Sequence, residues 1–142
     1  MTLLDAACLV ALFRAEPGAG RVAEVIAFGA AISVINRAEV IDRLARQGAD
    51  PAEVGADIDM LDLEHHDVTR QIADSAAALR SRHYHRTRRQ ISLSDCIAAA
   101  TAQHLGRPLA TSDQHLADLA AIIGIHLTAV ANSRGERPTA AT

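Results

Sequence analysis

Lysine and tryptophan are missing from this chain of 142 residues; tyrosine occurs once, and phenylalanine, methionine and cysteine twice each. With aromatics at 2% but hydrophobic residues at 49%, any core must be built from Ala, Leu, Ile and Val. Two cysteines, Cys8 and Cys96, are too few and too far apart for a disulfide framework or a zinc knuckle. They read as reduced core residues of a cytosolic protein. No apolar run is long enough to cross a bilayer, and Asp5 interrupts the opening run before it could serve as a signal peptide. The excess of acid over base, a formal net charge of -3, excludes a protein that binds nucleic acid over its whole surface. Such binding would have to be local.

What is present fits one domain over 1–130, followed by a polar tail over 131–142 that is expected to be disordered. Short apolar runs at 1–4, 30–35, 61–65, 109–111 and 125–130 alternate with helical stretches at 6–13, 21–28, 36–47, from 50 onward, 67–79, 92–103 and 114–121. That alternation predicts an α/β fold with a parallel sheet covered on both faces. Asn36 is expected to cap the third helix and Gly48 to end it, while Asp50-Pro51 opens the next. Ser92 and Asp95 have the spacing of a capping box.

Asp5 and Asp113 each stand at the first polar step beyond a strand, and Glu39 and Asp95 lie near the starts of helices. In such folds ligands collect outside the carboxyl ends of the strands, so acids from four segments can meet on one rim. Two readings stand. The four are helix caps that never meet, or they form a cluster. Close carboxylates repel by about 4 kcal/mol per pair at an effective dielectric near 20, so a cluster needs raised pKa values or a bound cation. All-oxygen donors favour Mg²⁺ or Mn²⁺, and a hard ion on an open rim suits phosphodiester hydrolysis.

Over roughly residues 1–130 the chain resembles the PIN-domain ribonucleases, and in length and motif order the VapC toxins of type II toxin–antitoxin pairs. The resemblance is carried by Leu3-Leu4-Asp5-Ala6-Ala7, by Ile32-Ser33 through Ala38-Glu39-Val40, by Leu93-Ser94-Asp95-Cys96 and by Ala110-Thr111-Ser112-Asp113. It implies a three-layer sandwich with a central five-stranded parallel sheet between helices. It further implies Asp5, Glu39, Asp95 and Asp113 as catalytic and metal-binding acids, RNA as substrate, a homodimer, and a cognate antitoxin. That partner would set a basic side chain near the acids and pack apolar residues around 21–28 and 40–44. One position departs from the family pattern: Ala7 stands where a Ser or Thr is common, leaving Thr111 and Ser112 as nearby hydroxyls that could orient the first acid. The alternatives are a catalytically weak PIN-like RNA-binding module and a Mg-dependent phosphatase. The latter generally wants a second acid where Ala7 stands.

The one basic cluster lies at 80–89. It reads either as a solvated loop or as an RNA-backbone contact through Arg82, Arg86 and Arg88, with Tyr84 free to stack a base. His65, His66, His104, His115 and His126 read as surface or helix-end residues.

Overall fold

The computed structural model describes residues 1–140. Its described elements run in chain order as β1 (Thr2–Leu4), α1 (Ala6–Phe13), α2 (Ala19–Phe28), β2 (Ala30–Ser33), α3 (Val34–Ala45), α4 (Pro51–Asp59), β3 (Leu63–His66), α5 (Arg70–His83), α6 (Leu93–Leu105), β4 (Leu109–Thr111), α7 (Gln114–Ile122) and β5 (Leu127–Ala129). The five strands form one parallel sheet in the order β3-β2-β1-β4-β5. The expected three-layer architecture is present. Because the chain winds outward from β1 in one direction and then resumes on its other side at β4, the order reverses between β1 and β4. That crevice, outside the carboxyl ends of both strands, is where an open α/β sheet binds its ligands.

Successive strand residues face opposite layers. Leu3, Ala31 and Leu109 pack with α5, α6 and α7, whereas Leu4, Ala30, Ile32 and Ala110 pack with α1 to α4. With almost no aromatics, tight contact depends on small side chains. In α6 every residue from Cys96 to Ala102 is buried, four of them alanine, which lets that helix lie close to the sheet. No described helix is long and apolar enough to cross a membrane.

Several boundaries differ from expectation. The apolar run at 30–35 is strand only to Ser33. Val34 and Ile35 already turn into α3, because the Ser33 hydroxyl accepts from Asn36 N at 3.0 Å and caps the helix. Asn36 is therefore not the cap. It is buried in the first turn, where its Oδ1 accepts from Ser33 Oγ at 2.6 Å and its Nδ2 donates to Ser94 O at 3.0 Å. This side chain joins the end of β2 to the start of α6. The third apolar run begins two residues later than expected, at Leu63, and α5 extends to His83.

The described part of the tail, 131–140, makes specific contacts. Asn132 closes a turn by accepting from Arg134 N and Glu136 N, and Gln114 exchanges two bonds of 2.9 Å with the Thr139 backbone. Pro138 is buried, so apolar contact and paired amides outweigh the polar composition of this segment. Residues 141–142, also assigned to that tail, lie outside the described residues. Gly18 shows how closely the chain returns at its start: a Cβ there would come within 2.5 Å of Ala131 O and 2.6 Å of Val130 Cγ1.

Asn36→Ala removes a buried amide that serves two partners and leaves Ser33 Oγ and Ser94 O without it. A loss of about 2 kcal/mol of stability is expected, read as a lower urea midpoint at unchanged m-value.

Candidate functional site

The four acids occupy one edge of the sheet, and their local bonding explains their positions. Asp5 leaves β1 and caps α1, its Oδ1 accepting from Cys8 N at 3.0 Å. Its Oδ2 accepts from Thr111 Oγ1 at 2.5 Å, and the same hydroxyl accepts from Asp113 N at 3.0 Å. Thr111 ends β4, so one buried hydroxyl ties together the two strand ends that border the crevice. Of the two hydroxyls near the first acid, Thr111 and Ser112, it is Thr111 that bonds Asp5. Asp113 caps α7 through His115 N (2.8 Å) and Leu116 N (3.4 Å).

Asp95 completes the capping box expected from sequence: Ser92 Oγ accepts from Asp95 N, and Asp95 Oδ2 accepts from Ser92 N at 2.9 Å. Glu39 does not repeat that arrangement. Since α3 starts at Val34, Glu39 lies in its second turn, accepts from Ser94 Oγ, and has Arg43 3.9 Å away. Ser94 and Asn36, the latter expected only as a helix cap, therefore dock α3 against the first turn of α6.

Burial and like charge act on these groups together. Asp5 is 4% exposed, and burial pushes its pKa up to about 6; the bonds from Thr111 and Cys8 pull it down, and the charge of Asp95 adds to the rise. Burial also raises Asp95, opposed by its bonds to Ser92 and reinforced by the charges of Asp113 and Glu39. Asp95 thus feels two of the other acids, and Asp5 feels Asp95. Among the described residues, however, no group of three or more His, Cys, Asp or Glu side chains is set closely enough to hold a metal ion. The buried Cys8 and Cys96 thiols are both raised by burial, Cys96 to about 11, so neither is a thiolate at neutral pH.

The basic segment borders this edge and is more structured than its composition indicates. Arg80, Arg82 and His83 lie in the last turn of α5. Beyond them His85 and Arg89 form an antiparallel bridge, with His85 Nδ1 accepting from Thr87 N at 3.2 Å and Arg88 N at 3.0 Å. His115, read from sequence as an unremarkable helix-end residue, accepts from Gln90 N at 3.1 Å through Nδ1 and so anchors the turn next to Asp113. Tyr84 is not free on both faces, because the Arg80 guanidinium lies 4.5 Å from its ring centroid. Of the apolar surface expected for a partner, Val40 and Leu44 are buried in the core, while Phe28 is 90% exposed.

A three-layer α/β domain with acids gathered at the carboxyl edge of a parallel sheet, beside a basic turn, is the class these features define. The PIN domain family model matches residues 2–122, and the chain belongs to that family. It is similar in structure to a toxin–antitoxin complex from Klebsiella pneumoniae, with 25% identity, a TM-score of 0.63, and 80% of this chain and 88% of that one covered. It is also similar in fold to the sarcin–ricin-loop-cleaving toxin VapC20 of Mycobacterium tuberculosis (18% identity, TM-score 0.63, 75% and 85% covered) and to FitAcB from Neisseria gonorrhoeae (19%, 0.65, 89% and 96%). No curated protein matches the chain.

The folded state holds the Asp5 proton more tightly than the unfolded chain does, so Asp5's contribution to stability falls as pH rises from about 4 through about 6. That cost approaches 3 kcal/mol above pH 7. Asp5→Asn is therefore expected to be more stable than wild type at pH 7.5, with the difference vanishing near pH 4. Urea unfolding at both pH values tests this, and an equal difference at both would remove burial as the cause.

Proposed function

We propose that this protein is a metal-dependent endoribonuclease, the toxin of a type II toxin–antitoxin pair. One observation carries the reading: a PIN-family chain has all four acids, Asp5, Glu39, Asp95 and Asp113, on the carboxyl edge of its sheet, with Asp5 raised by burial and by Asp95, and Asp95 by burial, Asp113 and Glu39. Raised carboxyls whose donors are all oxygen suit a hard cation, Mg²⁺ or Mn²⁺. The four acids would hold it, although the reading needs them to converge more closely than their described positions. A bound divalent cation supplies charge relief at the phosphate and a more acidic water.

The chain's own residues do the rest. Thr111 and the Cys8 amide orient Asp5, Ser92 orients Asp95, and Ser94 orients Glu39, which fixes these three carboxylates at the edge. Arg82, Arg86 and Arg88 contact the RNA backbone. The antitoxin is expected to bring a basic side chain to the acids, since a guanidinium fork pairs carboxylates bidentately, and apolar residues to the exposed Phe28. Free toxin is expected to form a homodimer. The spread of the acids together with Ala7 favours a second reading, a PIN-like RNA-binding module with weak catalysis.

Asp95→Asn should abolish most Mg²⁺- or Mn²⁺-dependent cleavage of RNA while leaving the fold intact, and EDTA should reversibly do the same to wild type. Expression of wild type alone should arrest growth, the neighbouring gene product should relieve the arrest, and Asp95→Asn should be harmless yet still pull that partner down. RNA bound tightly by wild type but not cut at saturating Mn²⁺ would favour the second reading.

A further inference from the structure

We propose that the turn leading into α6 forms a phosphate pocket that grips the RNA backbone beside the acidic edge, an inference that rests on the ribonuclease reading. A cavity of about 280 Å³ is lined by Arg82, His83, Tyr84, His85, Arg88 and Arg89, with no carboxylate among them. Its walls are fixed. His85 N donates to Arg89 O at 2.9 Å and Arg89 N to His85 O at 3.1 Å; the His85 ring holds the turn from within, and the His115 ring holds it from α7.

The guanidiniums in this cavity are not neutralised by the protein. Among the described residues Arg82, Arg88 and Arg89 have no ion-pair partner. Arg89 spends one Nη on His83 O at 3.3 Å, yet its Nε is the one buried side-chain N or O atom among the described residues without a partner. A buried N–H left unpaired costs about 1–3 kcal/mol until an acceptor arrives. The charge is felt locally: burial, then Arg89 and Arg82, hold the His83 pKa below its ordinary value. Unpaired forks around a polar hollow fit a tetrahedral oxyanion, to which guanidinium donates in parallel bonds.

Position selects RNA as the source of that anion. Arg89 and Ser92 are three positions apart, a reach of at most about 10 Å, and Ser92 N bonds Asp95 Oδ2. His115, which holds Gln90 N, also donates its own amide to Asp113 Oδ1. A chain crossing the acidic edge therefore meets the pocket within a short span. One phosphate anchored there offsets the repulsion that the acids exert on its neighbours.

Two measurements test the pocket. In the full-length ¹⁵N-labelled protein, inorganic phosphate should shift the Arg89 Nε–H resonance more than any arginine Nε–H outside the cavity. In the Asp95→Asn background with EDTA, a fluorescent single-stranded RNA should bind at least fivefold more weakly to Arg89→Lys, which keeps the charge but loses the fork. Because the charge is kept, the salt slope of Arg89→Lys should match that of its parent, whereas Arg88→Ala, which removes a charge from the same cavity, should lower it by about 0.7. Arg107→Ala, which removes a charge at the opposite edge of the sheet, should bind as its parent does. If Arg89→Lys does not fold by circular dichroism, Arg88→Ala, at an exposed position, serves in its place. Undiminished binding by the pocket variant, or an unmoved Arg89 resonance, overturns the pocket alone. Absence of RNA binding with the pocket intact overturns it together with the ribonuclease reading.

Discussion

The cost of covering the Asp5 carboxylate is the constraint on which the rest of the site depends. An ionised acid at 4% exposure is tolerated only where donors surround it, and the fold provides a backbone amide on one oxygen and the Thr111 hydroxyl on the other. Those donors come from different segments, α1 and β4, which are adjacent only because β1 lies between β2 and β4. Stabilising the acid and closing the sheet are therefore the same arrangement. The Asp113 amide completes it by donating to Thr111 Oγ1, so the hydroxyl's own proton is directed at Asp5. Even so, desolvation outweighs these bonds, and Asp5 remains a group whose charge calls for a counter-charge.

Local patterns in the chain made much of this legible. The alternation of apolar runs and helical stretches gave the parallel sheet, because strands covered on both faces have no polar alternation to disguise them. The capping box at Ser92 and Asp95 was visible because it is a bond pattern closed within four residues. The start of α3 was not. Val34 and Ile35 are β-branched and continue the apolar strand, so composition favours Asn36 as the cap; tertiary contact decides otherwise, since Asn36 is more valuable as the buried link from Ser33 to Ser94. Thr111 was legible only through the resemblance of its motif. Its role joins residues 106 positions apart, and no local spacing encodes that.

The basic segment shows how composition and structure can diverge. Its arginine and histidine content reads as a solvated loop, yet two imidazole rings act there as hydrogen-bond acceptors for backbone amides. His85 satisfies Thr87 and Arg88 within the turn, and His115 satisfies Gln90 from another helix. Both rings therefore contribute order to the turn. The arginines around them carry fixed positive charge.

The net charge of -3 would oppose contact with RNA if it were spread evenly. Instead the chain separates the signs over a short distance, with four acids on the sheet edge and unpaired arginines on the turn beside it. In the proposed reading, a phosphodiester held by the arginines would be drawn toward carboxylates that otherwise repel it, and that repulsion falls only as the acids are neutralised. Burial has already raised two of those acids toward neutrality, which weakens the barrier before any cation arrives. In the proposed ribonuclease reading, binding and chemistry would thus be coupled through one electrostatic field. The segment that joins them is the run from Arg89 to Asp95, where the basic turn becomes the first turn of α6.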